Sequence, residues 1–226
     1  MKQVAKVISY LTHPLFMPIL GLALLMELET VPASFYKLDA LFYFPDEIKW
    51  KLYQICAILL FVAPMFSILI MRYNRMISSF EMESRRERTY PLVITTLYYG
   101  LIFIFLRGQL EEPLNHPALL GYLFGMVVVF VVCIFINGFW IKISLHAVGI
   151  FALIGTLIGY SQTQLPAFDA VGIAPNFKWI IGLILASGLI GFARLYLKAH
   201  TPREYILGCI IGFAIMFFTV KYGVYL

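Results

Sequence analysis

The chain has 226 residues, of which 62% are hydrophobic and only 13% charged, with a mean hydropathy of +0.88. Soluble domains carry about 25% charged residues and could not hide so much apolar surface in one core, so an ordinary soluble enzyme and a disordered tail are both excluded. The formal net charge of +5 sits in short loops between apolar runs, which points to anionic headgroups and to no nucleic-acid partner.

Seven stretches approach the roughly 20 apolar residues needed to cross a bilayer core of about 30 Å. They predict an all-α polytopic membrane bundle of six to seven transmembrane helices in a single membrane domain, 1–226. The first, Val7–Leu28, contains His13-Pro14 and Pro18, which predict a kink. A secretory signal peptide competes for this stretch, but the apolar run is broken and no small-x-small cleavage site follows. In the loop 29–51, Phe42, Tyr43, Phe44 and Trp50 read as interfacial anchors. Leu52–Met71 then completes an N-terminal helical hairpin, about 7–71. Pro91–Leu106 is short, and Ala118–Gly138 and Ser144–Tyr160 follow it. Trp179–Leu197 and the short Tyr205–Val220 complete the set. Cys56, Cys133 and Cys209 each lie inside an apolar run, which disfavours a disulfide framework, and three cysteines are too few for a zinc site of their own.

Simple alternation puts the loops 72–90, 139–143 and 198–204 on one side of the membrane, and that side collects nearly all the polar chemistry. The first cluster runs from Glu81 to Pro91 and includes Arg85, Arg86 and Arg88. Glu81 and Arg85 form an i, i+4 pair, so a solvated turn facing headgroups explains the segment. Guanidinium forks this dense also suit a phosphate. The second cluster is Lys142, Ser144 and His146 at the start of a helix, where Ser144 can cap and the free N–H groups favour an anion. The third is Arg194, Lys198, His200, Arg203 and Glu204. Thr201-Pro202-Arg203-Glu204 reads as a capping box, which accounts for Glu204 without catalysis. It does not account for His200, or for an arginine at the membrane edge, which is costly unless paired or functional.

Together these residues can run a phosphoryl transfer with no metal and no cofactor. One histidine attacks phosphorus while a carboxylate orients it. A second histidine protonates the leaving oxygen, and the cations hold the remaining phosphate oxygens. No Walker A loop, dinucleotide fingerprint or HExxH site is present. His13 and His116 each precede proline and read as structural. Asn137 and Trp140, at the end of the fourth stretch, are candidates to line a pocket.

Arg194-x5-His200-x3-Glu204 resembles the third signature of the type 2 phosphatidic acid phosphatase superfamily, Ser-Arg-x5-His-x3-Asp. Lys142 to Ala147 resembles the second, Pro-Ser-Gly-His, and Arg85 to Pro91 loosely resembles the first, Lys-x6-Arg-Pro. The chain departs from the family at Ala193, Glu204, Ile143, Leu145 and Tyr90. The resemblance covers about 85–204 and implies a catalytic core of about 85–220. It implies a membrane phosphatase that acts on a lipid phosphate through a phosphohistidine. His200 would be the nucleophile, Glu204 its orienting acid and His146 the general acid. Arg194, Ser144, Arg88, Arg85, Arg86 and Lys142 would bind phosphate. Phosphatidic acid, phosphatidylglycerol phosphate, an isoprenyl pyrophosphate and a phosphorylated glycolipid are all candidate substrates. The alternatives are a phosphotransferase on the same scaffold and a non-catalytic lipid-phosphate binding or transport protein.

The expected location is the bacterial cytoplasmic membrane. Lys and Arg are in excess on the site's side, but leaving out Arg85, Arg86, Arg88, Lys142 and Arg194 levels the two sides, so charge does not fix orientation.

Overall fold

The computed structural model describes residues 1–32, 40–80, 82, 84–109, 114–166 and 175–223. Among them, six helical segments are long and apolar enough to cross a bilayer, and the shorter apolar helix Leu145–Ser161 lies beside them. The chain is therefore an all-α, multi-pass integral membrane protein.

The first span breaks where the prolines predict. Helix α1 (Lys2–Leu11) stops before His13-Pro14, a 3-10 turn runs over Pro14–Phe16, and α2 (Met17–Glu27) resumes the path. The second span is longer than its apolar stretch suggests, because α3 (Asp46–Ala57) recruits the acids Asp46 and Glu47 into its first turn, where they suit the helix dipole. It joins α4 (Ala63–Tyr73) through a single π turn, Ile58–Val62. Pro64 lacks the N–H that would serve the Leu60 carbonyl, and the Tyr99 hydroxyl donates to that carbonyl instead at 3.1 Å.

The third span corrects the sequence reading. α5 (Arg85–Arg107) begins six residues before Pro91, so the arginine segment is the helix's own first turns. Ser84 caps it, its hydroxyl accepting from Glu87 N–H at 3.3 Å. The remaining helices are α6 (Pro117–Phe139), α7 (Leu145–Ser161), α8 (Pro175–Tyr196) and α9 (Pro202–Tyr222). Two three-residue strands, β1 (Thr30–Pro32) and β2 (Gln164–Pro166), pair antiparallel and tie the chain after α2 to the chain after α7.

Of the proposed interfacial anchors, Tyr43 and Trp50 are exposed, but Phe44 is buried against the His116 ring. His116 is structural, as expected: its Nδ1 accepts from Ala118 N–H at the start of α6. Large apolar side chains such as Leu97, Ile104, Leu185 and Leu189 cover the outer surface, as lipid-facing helices require.

The closest helix pair is α7 with α9. A Cβ on Gly212 would run into the Val148 carbonyl, and one on Gly155 into the Phe213 carbonyl. Small residues that let backbones touch are the usual device for helix association in lipid. Ser144 lies by Gly208, Val148 by Gly212 and Phe217 by Gly159, so the two helices run parallel. Both therefore present their N-termini at the same level, and α8 returns antiparallel between them in sequence.

Candidate active site

The end of α8 explains the spacing between Arg194 and His200. Ala199 N–H bonds the Arg194 carbonyl at 3.1 Å and Lys198 N–H bonds the Leu195 carbonyl at 2.9 Å, the paired bonds of a Schellman stop. Lys198 takes the left-handed position at φ 54°. The reversal leaves Arg194 on the last turn of one helix and His200 just before the next.

Thr201 then caps α9 in a full capping box. Glu204 Oε2 accepts from Thr201 N–H at 3.0 Å and also lies 3.1 Å from His200 Nδ1. The structural and chemical readings of Glu204 are thus one arrangement. A carboxylate can only accept, so His200 Nδ1 carries the proton and Nε2 keeps its lone pair. The His200 side chain is 1% exposed. Burial first, and then the charges of Arg88, Arg194 and Lys142 with His146 nearby, push its pKa down to about 2, leaving a neutral ring at physiological pH.

Across from it, the start of α7 is bonded directly to the start of α9, with Ser144 N–H reaching the Glu204 carbonyl at 3.4 Å. Ser144 occupies the N-cap position, but its side chain does not make the expected capping bond. Its Oγ is fully buried and has no hydrogen-bond partner among the described residues. Two helix N-termini at one level offer N–H groups of the kind that favour an anion.

His146 is buried, and its Nε2 lies 3.0 Å from the Ser9 carbonyl. The kink supplies that carbonyl. His13 N–H turns to Tyr10 instead, so Ser9 loses the partner an unbroken helix would give it.

The predicted cations divide. Arg88 is buried, with Nε donating to the Met82 carbonyl at 2.8 Å and Nη1 to the Ile143 carbonyl at 3.2 Å. Arg194 Nη1 donates to Ser9 Oγ at 3.4 Å. Arg88, Arg194, His146 and His200 all line one cavity of about 150 Å³. Arg85 and Arg86 are exposed and do not line it; Arg85 Nη1 instead holds the Trp140 carbonyl at 2.8 Å. Lys142, Ser144 and Glu204 do not line the cavity, although Glu204 contacts His200, which does. Asn137 holds the Arg85 carbonyl, Trp140 is exposed, and neither lines the cavity. Glu81, and with it the proposed pair to Arg85, lies outside the described residues.

Lys6, Ser9, Tyr10 and His13 complete the cavity wall. The His13 ring meets His146 edge-on, centroids 6.1 Å apart. A histidine before proline reads as a turn, so His13 was missed as a site residue. The available signal was Lys6, Ser9 and His13 on a single helical face. A smaller, mainly apolar cavity of about 50 Å³ adjoins the first along Pro14, Phe130 and Leu145. Among the described residues, no group of three or more His, Cys, Asp or Glu side chains gathers in a way that could hold a metal ion.

Comparison with known families matches residues 123–226 to the PAP2 superfamily. The match bears out the resemblance carried by the two histidine segments. It takes in α7, α8, α9 and most of α6, and leaves Ser9, His13 and Arg88 outside. No curated protein and no solved structure matches the chain.

Proposed function

From this PAP2 superfamily region, we propose that the protein is a phosphatase of the bacterial cytoplasmic membrane that hydrolyses a lipid phosphate through a phosphohistidine. The observation that carries the reading is His200, held by Glu204 at 3.1 Å inside a cavity that also holds Arg88, Arg194 and His146.

His200 Nε2 attacks phosphorus; the P–N bond forms as the bond to the lipid oxygen breaks. Glu204 holds the Nδ1 proton and stabilises the charge that develops on the ring. Arg88, Arg194 and the start of α7, which line the cavity, face the phosphate oxygens, where charge builds in the transition state. His146 gives its proton to the leaving oxygen. With Nε2–H donating to the Ser9 carbonyl, the acidic proton is the one on Nδ1, and the carbonyl supports the protonated ring. Water then attacks the phosphohistidine, His146 takes the water's proton, and phosphate leaves with the P–N bond broken. The adjoining apolar cavity suits the first carbons of a lipid tail, while the rest stays in the bilayer.

The test is phosphate release from a panel of lipid phosphates in detergent, with a chelator present, by the wild type and His200→Ala. Release that survives chelation and vanishes in the variant supports the reading. Release that requires added metal removes the histidine mechanism. Phosphate appearing on an acceptor alcohol, with none released to water, identifies a transferase.

A further inference from the structure

We propose that His13 is a substrate-binding residue, its Nε2–H donating a hydrogen bond to an anionic oxygen of the bound lipid phosphate; this rests on the phosphatase reading above. Leu15 N–H donates to His13 Nδ1 at 3.3 Å. A ring nitrogen that accepts a hydrogen bond carries no proton, so the neutral ring holds its proton on Nε2. The kink thus fixes the tautomer: the 3-10 turn that starts at Pro14 supplies the N–H that makes His13 a donor at its far edge.

The ring sits in the wall of the cavity that holds His146, Arg194 and His200, and it meets the His146 ring edge-on. Lys6 and Ser9 share its helical face, so this part of the wall offers donors and a cation. Because Nδ1 is occupied by Leu15 N–H, His13 does not serve as the general acid. It binds rather than transfers a proton, and it lies outside the stretch matched to the family.

The two ring nitrogens can be tested separately. Asparagine places an oxygen where Nδ1 caps the turn but lacks the reach of Nε2. Glutamine reaches the Nε2 position and caps poorly. The probe is orthovanadate binding to the purified protein in detergent, with thermal midpoints recorded alongside and phosphate release from phosphatidic acid as the activity reference. His13→Asn is expected to keep the wild-type midpoint and to weaken vanadate binding about tenfold to a hundredfold, the range for a hydrogen bond to a charged group. His13→Gln is expected to recover most of that binding at a lower midpoint. Binding by His13→Asn equal to wild type would overturn the proposal and leave His13 as a cap alone. Loss of binding in both variants with lowered midpoints would also count against a donor. If the wild type neither binds vanadate nor releases phosphate, the phosphatase reading fails first, and this proposal fails with it.

Discussion

His146 Nε2 and the Ser9 carbonyl oxygen lie 3.0 Å apart across 137 positions of sequence. That bond joins the proposed general acid to a helix end that exists only because His13-Pro14 breaks the first span.

Pro14→Ala therefore tests how far the break matters. A continuous helix would give the Ser9 carbonyl back to His13 N–H and withdraw it from His146. A hydrogen bond to a charged ring contributes about 1.5–3 kcal/mol, so kcat is expected to fall about 10- to 100-fold. Steady-state phosphate release, with substrate affinity measured separately, checks this.

Glu204→Gln separates the two duties of one carboxylate. Glutamine also serves at this position of a capping box, so the thermal midpoint should stay close to wild type. Without a charge to support the His200 ring, kcat should fall by about 10² or more. Glu204→Asp is the complementary variant. Its arm is one methylene shorter and cannot reach both His200 and Thr201, so it should lose stability as well as rate.

His200 also predicts a pH dependence of stability. In the unfolded chain its imidazole takes a proton below about 6.5, whereas the folded ring stays neutral down to about 2. Unfolding within that window takes up a proton, so stability is full above 6.5 and drains away as pH falls, by up to about 1.4 kcal/mol per pH unit. Thermal midpoints between pH 7 and pH 5 should fall less steeply in His200→Asn than in the wild type; equal slopes would refute the assignment.

Lys198 holds a left-handed conformation at φ 54°, where a side chain costs about 1 kcal/mol and glycine does not. Lys198→Gly should raise stability by about that amount, and Lys198→Ala should not. Chemical denaturation in detergent distinguishes the two.

The apolar spans were readable because together they carry more apolar surface than one soluble core could bury, and the kink because proline removes a donor at a known place. The capping box was equally legible, since Thr201 and Glu204 announce it locally. Which arginine faces the cavity was not legible. Arg85, Arg86 and Arg88 differ only by their angle around a helix, and that angle required knowing that α5 starts before Pro91. Phe44 is buried for a similar reason: its partner, His116, is remote in sequence. His13 escaped notice because the ring it meets in the cavity wall, His146, lies 133 positions away. The unsatisfied Ser144 hydroxyl was hidden by its good capping position, which predicts a bond the side chain does not make.

The kinked first span makes the proposed catalytic machinery divisible. Residues 123–226 bring His146, Arg194, His200 and Glu204, yet neither the carbonyl that steadies His146 nor the buried Arg88 is among them. A chain severed between α5 and α6 would yield two inert pieces, each holding what the other lacks. Co-expression of those pieces in one membrane should restore turnover only when the first piece retains the break at Pro14.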